Sequence, residues 1–186
     1  GTVTNGQLRK YGVDVEASTI ITKNDRLDFS ISYLNSEYTE LEFDFVNPRF
    51  QDQDYTGKPE TFCPDWTLTA KYSHNFNLPN GGTLTARLDS RYQSKLLVTF
   101  ADKYQEGYPG MAYEDYFILY DQGDFIWQEA YHMSNLSLIY AHPDGKWTLN
   151  GYVKNLEDYA VKKNIMKGSM MIGPPRTYGA ILSVRF

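Results

Sequence analysis

Charged side chains alternate with apolar ones along much of this sequence of 186 residues. The pattern is most regular in residues 83–96, TLTARLDSRYQSKL. Because successive side chains of a β-strand point to opposite faces, these charges are expected to share one face. Charges gathered in this way need water or a charged partner. The charged residues predicted to lie on the polar faces of such strands are Asp14, Glu16, Lys71, Arg87, Asp89, Arg91 and Lys95.

An aromatic-rich connection, residues 97–128, is the best candidate for ligand binding. Loops of this length are usually functional or disordered, and clustered aromatic rings provide stacking platforms for sugars or aromatic chelates. The segment could instead form an extended hairpin that covers the end of the fold, or contact a partner protein. Its interspersed acids favour cationic or neutral cargo. The candidate ligand-binding residues are Tyr104, Tyr108, Tyr113, Tyr116, Tyr120 and Trp127.

The residue types that support catalysis or metal binding are scattered. His74, His132 and His142 lack the spacing of metal ligands, and no phosphate-binding loop or nucleophile elbow occurs. Cys63, in TFCPDW, is expected in a loop, either as a free thiol or paired with a cysteine outside this chain. The net charge of -5 gives no basic surface for nucleic acid. The sequence therefore predicts no enzyme, no cofactor, no metal site and no nucleic-acid partner.

Period-two alternation predicts an all-β fold, because helical periodicity is nearly absent. No run of 18 apolar residues occurs, which excludes a membrane-spanning helix. The predicted strands exceed the common length of about 5–6 residues and suit a tilted bilayer crossing of roughly 9–11. The seven predicted strands are 10–21, 26–38, 66–76, 83–96, 129–141, 146–158 and 175–186.

The connections between these strands alternate between short and long. TKND (22–25), NLPNGG (77–82) and HPDGK (142–146) are tight, whereas 39–65, 97–128 and 159–174 are long. An up-and-down meander gives this alternation when its short turns share one edge, as in outer-membrane barrels. Aromatic residues near the strand ends resemble two interfacial girdles, with Phe76 and Trp147 beside short turns and Tyr38 and Trp66 toward the long loops. We therefore expect an antiparallel up-and-down transmembrane β-barrel, with the polar-face charges lining its lumen.

Three stretches of sequence resemble TonB-dependent outer-membrane receptors. GPPRTYGAILSVRF (173–186) is similar to the closing strand of that family, and HPDGKWTLNGYVKNLEDY (142–159) to its penultimate hairpin. KYGVDVEAS (10–18) resembles the Tyr-Gly-x-Glu-x-Glu strand, with Asp14 in place of the commoner first Glu. Val184 stands where these receptors often have an aromatic residue. The resemblance covers essentially the whole chain.

The resemblance implies that residues 1–186 are the last seven strands of a 22-stranded barrel, whose plug domain is not present in this chain. It also implies that the barrel assembly machinery reads the final strand as its signal. We expect deletion of Phe186 to impair assembly more than ligand affinity. The assembly-signal residues are Tyr178, Leu182, Val184 and Phe186.

The function implied by the resemblance is active import across the outer membrane of a Gram-negative bacterium. The cargo would be a scarce nutrient, above all a ferric siderophore or similar metal chelate. The TonB–ExbB–ExbD machinery would supply energy through the plug, and outer-membrane lipid would surround the barrel. Saccharides, cobalamin or aromatic breakdown products remain alternative cargoes. A soluble carbohydrate-binding β-domain and an adhesin barrel remain alternative classes.

Overall fold

The computed structural model describes residues 2–44, 53–100, 125–166 and 169–185. All regular secondary structure in these ranges is β, so the predicted fold class is confirmed. No helix among the described residues is long and apolar enough to cross a membrane. The strands are β1 (Thr2–Thr22), β2 (Asp25–Asp44), β3 (Gln53–Asp54), β4 (Trp66–Asn77), β5 (Thr83–Gln93), β6 (Leu96–Leu97), β7 (Trp127–Gln128), β8 (Tyr131–Ala141), β9 (Trp147–Lys154), β10 (Lys162–Met166), β11 (Ser169–Ile172) and β12 (Thr177–Val184).

Seven long strands form one antiparallel meander in the order β1-β2-β4-β5-β8-β9-β12. Each strand hydrogen-bonds to the next long strand in the chain, and β3 adds a short pairing to the end of β2. The short turns therefore share one edge of the sheet and the long connections share the other. Gly81 and Gly145 adopt positive φ angles (83° and 68°) in two of the short turns, which favours glycine there.

The first hairpin is longer than its sequence pattern predicted. β1 and β2 continue past the predicted segments 10–21 and 26–38 because polar cross-strand pairs replace the apolar alternation. Gln7 Nε2 donates to Glu40 Oε2 at 2.6 Å, and Arg9 Nη2 lies 2.5 Å from Glu37 Oε2. At the other end of the chain, β9 stops at Lys154 rather than at 158, since Asn155 and Asp158 both have positive φ.

The sheet has one apolar and one polar face. On the apolar face, Leu88 stands opposite Tyr72 on one side and Leu136 on the other. On the polar face, Lys71 stands between Asp28 and Asp89. Apolar side chains remain largely exposed, as with Leu182 at 63%. The buried core of the described residues lies instead in the long connections, where Leu96, Val98 and Ile165 pack with Phe125 and Met170.

Candidate functional site

Aromatic residues mark both ends of the apolar face. Trp66 and Phe76 lie on that face at the two ends of β4, ten positions apart. At roughly 3.3 Å per residue this is about 33 Å along the strand, and a tilt of about 40° reduces it to about 25 Å. That height matches the apolar band of outer-membrane barrels. Tyr38, expected in a girdle, lies on β2 five residues beyond Tyr33, and its ring centre is 5.9 Å from that of Phe100 in the second long connection.

Rings cluster at both levels of this band. The rings of Tyr33 and Trp66 are 4.8 Å apart at the end near the long connections. At the short-turn end, the Trp147 ring lies 5.2 Å from Tyr140 and 5.0 Å from His142. These clusters are suited to the two interfaces of a bilayer, where amphipathic rings are favoured.

Six of the seven charged residues predicted for the polar face lie on it. Asp14 and Glu16 stand opposite Ser32 and Ser30. Arg87 and Arg91 stand opposite Ser137 and Met133. The remaining two, Lys71 and Asp89, face each other across β4 and β5. Lys95, the seventh, lies just beyond the end of β5. Their exposure to a barrel lumen stays a prediction.

Charge is unevenly distributed across the polar face. β1 and β2 carry Asp14, Glu16 and Asp28, and Asp28 is paired with Arg26 at 2.8 Å. From β4 to β9 the face is basic, with Asp89 as its acidic residue. None of these basic residues forms an ion pair within 4.0 Å among the described residues. The basic residues of this half are Lys71, Arg87, Arg91 and Lys154.

Two open cavities adjoin the boundary between the acidic and basic halves. One, of about 350 Å³, is lined by Glu16, Asp28 and Lys71 among others. The other, of about 450 Å³, is lined by Arg26, Asp28, Lys71, Arg87 and Asp89 together with Tyr72 and Ser73. Both volumes lie within the range of small-molecule sites, roughly 300–1,000 Å³.

The β5–β8 ladder continues beyond the sheet into the second long connection. Gln93 pairs with Tyr131, and the same register carries on to the pairing of Leu97 with Trp127. The Val98 amide then donates to the Ile126 carbonyl oxygen at 2.8 Å. The two described ends of this connection therefore pair as the base of a hairpin. An extended hairpin was one of the alternatives that the sequence left open for residues 97–128.

This register brings basic and aromatic side chains together on one side of the extended β5–β8 hairpin, the side that continues the polar face of the sheet. Lys95 stands opposite Glu129, with 2.6 Å between Nζ and Oε1, and its Nζ lies 5.3 Å from the centre of the Trp127 ring. Arg91 and Tyr131 follow on the same side toward the sheet, where they are diagonal neighbours across β5 and β8.

The third long connection adds another aromatic ring to this group. Tyr159 stacks on Tyr131 with 5.4 Å between ring centres and 10° between ring planes. Asn155, 3% exposed, holds this connection in place by accepting from the Tyr159 amide at 2.9 Å and donating to the Pro174 carbonyl oxygen at 3.2 Å. We call Arg91, Lys95, Trp127, Tyr131 and Tyr159 the outer cluster. The sequence analysis singled out three of these residues but missed Tyr131 and Tyr159, which belong to neighbouring strand motifs.

Glu157 fastens the same connection to β8. Its Oε2 accepts from the Ser134 amide at 2.7 Å, and its Oε1 lies 3.3 Å from His132 Nε2. Burial acts to raise the pKa of Glu157, but the hydrogen bonds from Ser134 and the neighbouring His132 outweigh it, so the pKa is lowered. Ser134 Oγ also meets His132 Nε2, at 2.9 Å. Since hydroxyl and carboxylate share one ring nitrogen, the trio lacks the geometry of a catalytic triad.

The long connections pack on one another as a layer. Lys162 of β10 donates its amide to Gln128 Oε1 at 2.7 Å, which joins the third connection to the second. The Phe62 amide donates to the Leu97 carbonyl oxygen at 2.7 Å, which joins the first connection to the second. The β10–β11 hairpin, absent from the sequence-based prediction, supplies Ile165 and Met170 to the shared core.

The other residues singled out by the sequence analysis lie partly inside and partly outside the described ranges. Tyr104, Tyr108, Tyr113, Tyr116, Tyr120 and Phe186 lie outside the described residues. Tyr178, Leu182 and Val184 lie on the apolar face of β12. Cys63 is half-buried and forms no disulfide within this chain; its pairing with a cysteine outside the chain stays a prediction. The part of the chain that the structure describes has no group of three His, Cys, Asp or Glu residues suited to a metal ion.

Comparison with known proteins finds similarity in structure. No protein-family model matches the sequence, and no curated protein matches it. The chain is similar to the ferric yersiniabactin uptake receptor FyuA from Yersinia pestis, with a TM-score of 0.69 and 17% identity over 97% of this chain and 24% of that one. It is also similar to the siderophore receptor PiuA from Acinetobacter baumannii, with a TM-score of 0.68 and 16% identity over 95% of this chain and 22% of that one.

A third similar structure is BauA, the ferric preacinetobactin receptor from Acinetobacter baumannii. Its TM-score is 0.66 and its identity 15%, over 97% of this chain and 22% of that one. The chain therefore spans about a quarter of the length of these receptors. At this level of identity the comparisons establish a shared fold: the meander is that of a portion of these barrel proteins.

Proposed function

We propose that this chain is the C-terminal part of the barrel of a TonB-dependent outer-membrane receptor that imports a ferric siderophore or a similar metal chelate. One observation carries the proposal: a two-faced seven-strand meander matches the ferric yersiniabactin uptake receptor over 97% of the chain. The sequence motifs of the final hairpin and closing strand support the same family.

The apolar face supports a membrane location. A sheet in a water-soluble domain buries its apolar face against a second layer. Among the described residues no second layer covers this face, and large side chains such as Leu138 and Leu182 remain exposed. A bilayer supplies the missing cover, and the band of about 25 Å between the aromatic clusters fits it. This argues against a soluble carbohydrate-binding domain.

The polar face would then line the lumen, with the long connections on the cell exterior. In this arrangement residues 1–186 supply the last seven strands, and the plug contacts the charged face. The plug transmits energy from TonB–ExbB–ExbD, and the barrel assembly machinery reads β12. Binding and passage require no covalent chemistry, so we expect the receptor not to be an enzyme.

The test uses the full-length gene in its Gram-negative host. We expect deletion to abolish uptake of at least one ⁵⁵Fe-labelled chelate fraction from the host's iron-starved culture medium, and the intact gene to restore it. Loss of ExbB should give the same defect. Unchanged uptake of every ⁵⁵Fe fraction, with loss of growth on a saccharide, would favour the alternative cargo and contradict the iron function.

A further inference from the structure

We infer that the outer cluster recognises an anionic chelate that carries aromatic rings. The inference rests on the proposed function and names the charge and chemical class of its cargo. The cluster has one positive charge that its neighbours leave uncompensated, and it also holds three aromatic rings. The sequence alone favoured cationic or neutral cargo because of the acids in 97–128. Those acids lie outside the described residues, and residues 97–100 and 125–128 carry no charge, so the inference rests on the charges of the outer cluster itself.

The positive charge of the outer cluster resides mainly on Arg91. The Lys95 ammonium is matched by Glu129 at 2.6 Å and lies over the Trp127 ring. Arg91 is exposed and has no ion pair within 4.0 Å among the described residues; it stands opposite Thr69 and Met133. A guanidinium presents a planar array of donors suited to carboxylate or phenolate oxygens. It can therefore bind an anion without first breaking an internal salt bridge.

The aromatic residues of the cluster offer a ligand their ring surfaces, because the tyrosine hydroxyl groups already have hydrogen-bond partners within the protein. The Tyr131 hydroxyl already donates to Gln93 Oε1 at 2.5 Å, and the Tyr159 hydroxyl accepts from Gln128 Nε2 at 3.3 Å. Gln128 is further held through its bond to the Lys162 amide. A saccharide needs polar partners for its hydroxyl groups, and these side chains are already engaged. An aryl group needs only the stacking surface.

The basic half of the polar face also favours an anionic cargo, farther from the long connections. Arg87 and Lys71 follow Arg91 toward the short turns, and Lys154 lies two strands away on β9. Arg87 and Lys71 line the cavity of about 450 Å³. Grouped like charges produce a potential that attracts ions of opposite sign. An anion leaving the outer cluster thus meets a basic surface along β4 to β9, while the acids of β1 and β2 repel it.

The first experiment sorts the cargo by charge. Culture medium from the iron-starved host is labelled with ⁵⁵Fe and separated on an anion exchanger at pH 7. Uptake is then compared between cells with and without the full-length receptor. We expect receptor-dependent uptake only from the retained, anionic fraction. Uptake from the unretained fraction overturns the inference and leaves the iron function intact. Absence of receptor-dependent uptake from every fraction contradicts the iron function itself.

The second experiment tests the residues with the active fraction and the purified full-length receptor. Arg91→Gln is expected to weaken binding about tenfold at low salt and to flatten its salt dependence. Tyr159→Leu should weaken binding, whereas Tyr159→Phe keeps the stacked ring and should bind normally. Lys23→Gln, in a short turn at the opposite edge, is the charge-matched control. Unaltered affinity and salt dependence in Arg91→Gln, at normal amounts of folded receptor, would refute the assignment.

Discussion

Gly12 lies at a close approach between β1 and β2. A Cβ atom there would stand 2.2 Å from the Tyr33 carbonyl oxygen and 3.1 Å from the Leu34 Cα atom. Both neighbours are backbone atoms, so they cannot move aside as the end of a flexible side chain would. Gly151, by contrast, has no atom within 4 Å of the equivalent position. The two glycines therefore have different structural reasons for being present.

We predict that Gly12→Ala destabilises the receptor by about 1–3 kcal/mol, because the two strands must separate to admit a methyl group. The measurement is the fraction of full-length receptor that stays folded and migrates anomalously on an unheated gel. Gly151→Ala serves as the control and should stay folded to the wild-type extent. Equal folded fractions for the two variants would argue against the close approach.

At this scale the sequence predicted which face a residue occupies but not which residues meet. Alternation alone placed Arg87 and Arg91 on one face, since that property is local. The stack of Tyr131 on Tyr159 depends on the path of the third connection, which is set by the positive φ of Asn155 and its bonds to distant carbonyl oxygens. Such contacts follow from tertiary structure and have no local signal.

The long connections behave as one packed element. Leu96 and Val98 from the second connection and Ile165 from the third share a core with Phe125 and Met170. Ile165 is 5% exposed, whereas Met171, on the neighbouring strand of the same hairpin, is 64% exposed. Packing of this kind holds the base of the second long connection in position.

We predict that Ile165→Ala loosens this layer at a cost of about 2–5 kcal/mol in local stability. The expected result is faster protease cleavage within residues 94–130 and 155–176 of the full-length receptor, with the strands of the sheet still protected. Met171→Ala removes a side chain of similar size from an exposed site and should leave the cleavage rate unchanged. Identical rates in both variants would mean that the connections are not coupled through this core.

Long strands and short turns could be predicted because both have local causes. Alternation identifies a strand, and Asn, Asp, Pro and Gly identify a turn. The β10–β11 hairpin was missed because KKNIMKGSMMI lacks regular alternation and its ladder contains a register shift between Lys162 and Asn164. Its strands are stabilised by the neighbouring connection rather than by their own pattern.

The whole molecule is organised by the contrast between its two faces. Phe29 and Ser30 are consecutive on β2 and point to opposite faces. Phe29 stands between Ala17 and Ala70 near the middle of the apolar band, and is 38% exposed. Ser30 stands between Glu16 and Thr69 on the polar face.

We predict that Phe29→Arg prevents assembly in the outer membrane, because a lipid-facing arginine at mid-bilayer costs roughly 2–4 kcal/mol. Ser30→Arg, one position away and beside Glu16, should assemble normally. The measurement is the amount of folded full-length receptor in the outer-membrane fraction. Normal assembly of Phe29→Arg would mean that water, not lipid, covers the apolar face.

The meander has an odd number of long strands, and this limits how it can close. Neighbouring strands are antiparallel throughout, so β1 and β12 run in the same direction. Curling the sheet until these edges met would create one parallel seam, and a second copy rotated about the same axis would repeat that mismatch. A fully antiparallel barrel therefore requires an odd number of additional strands between β12 and β1. The 22-stranded barrel implied by the sequence motifs meets this parity condition.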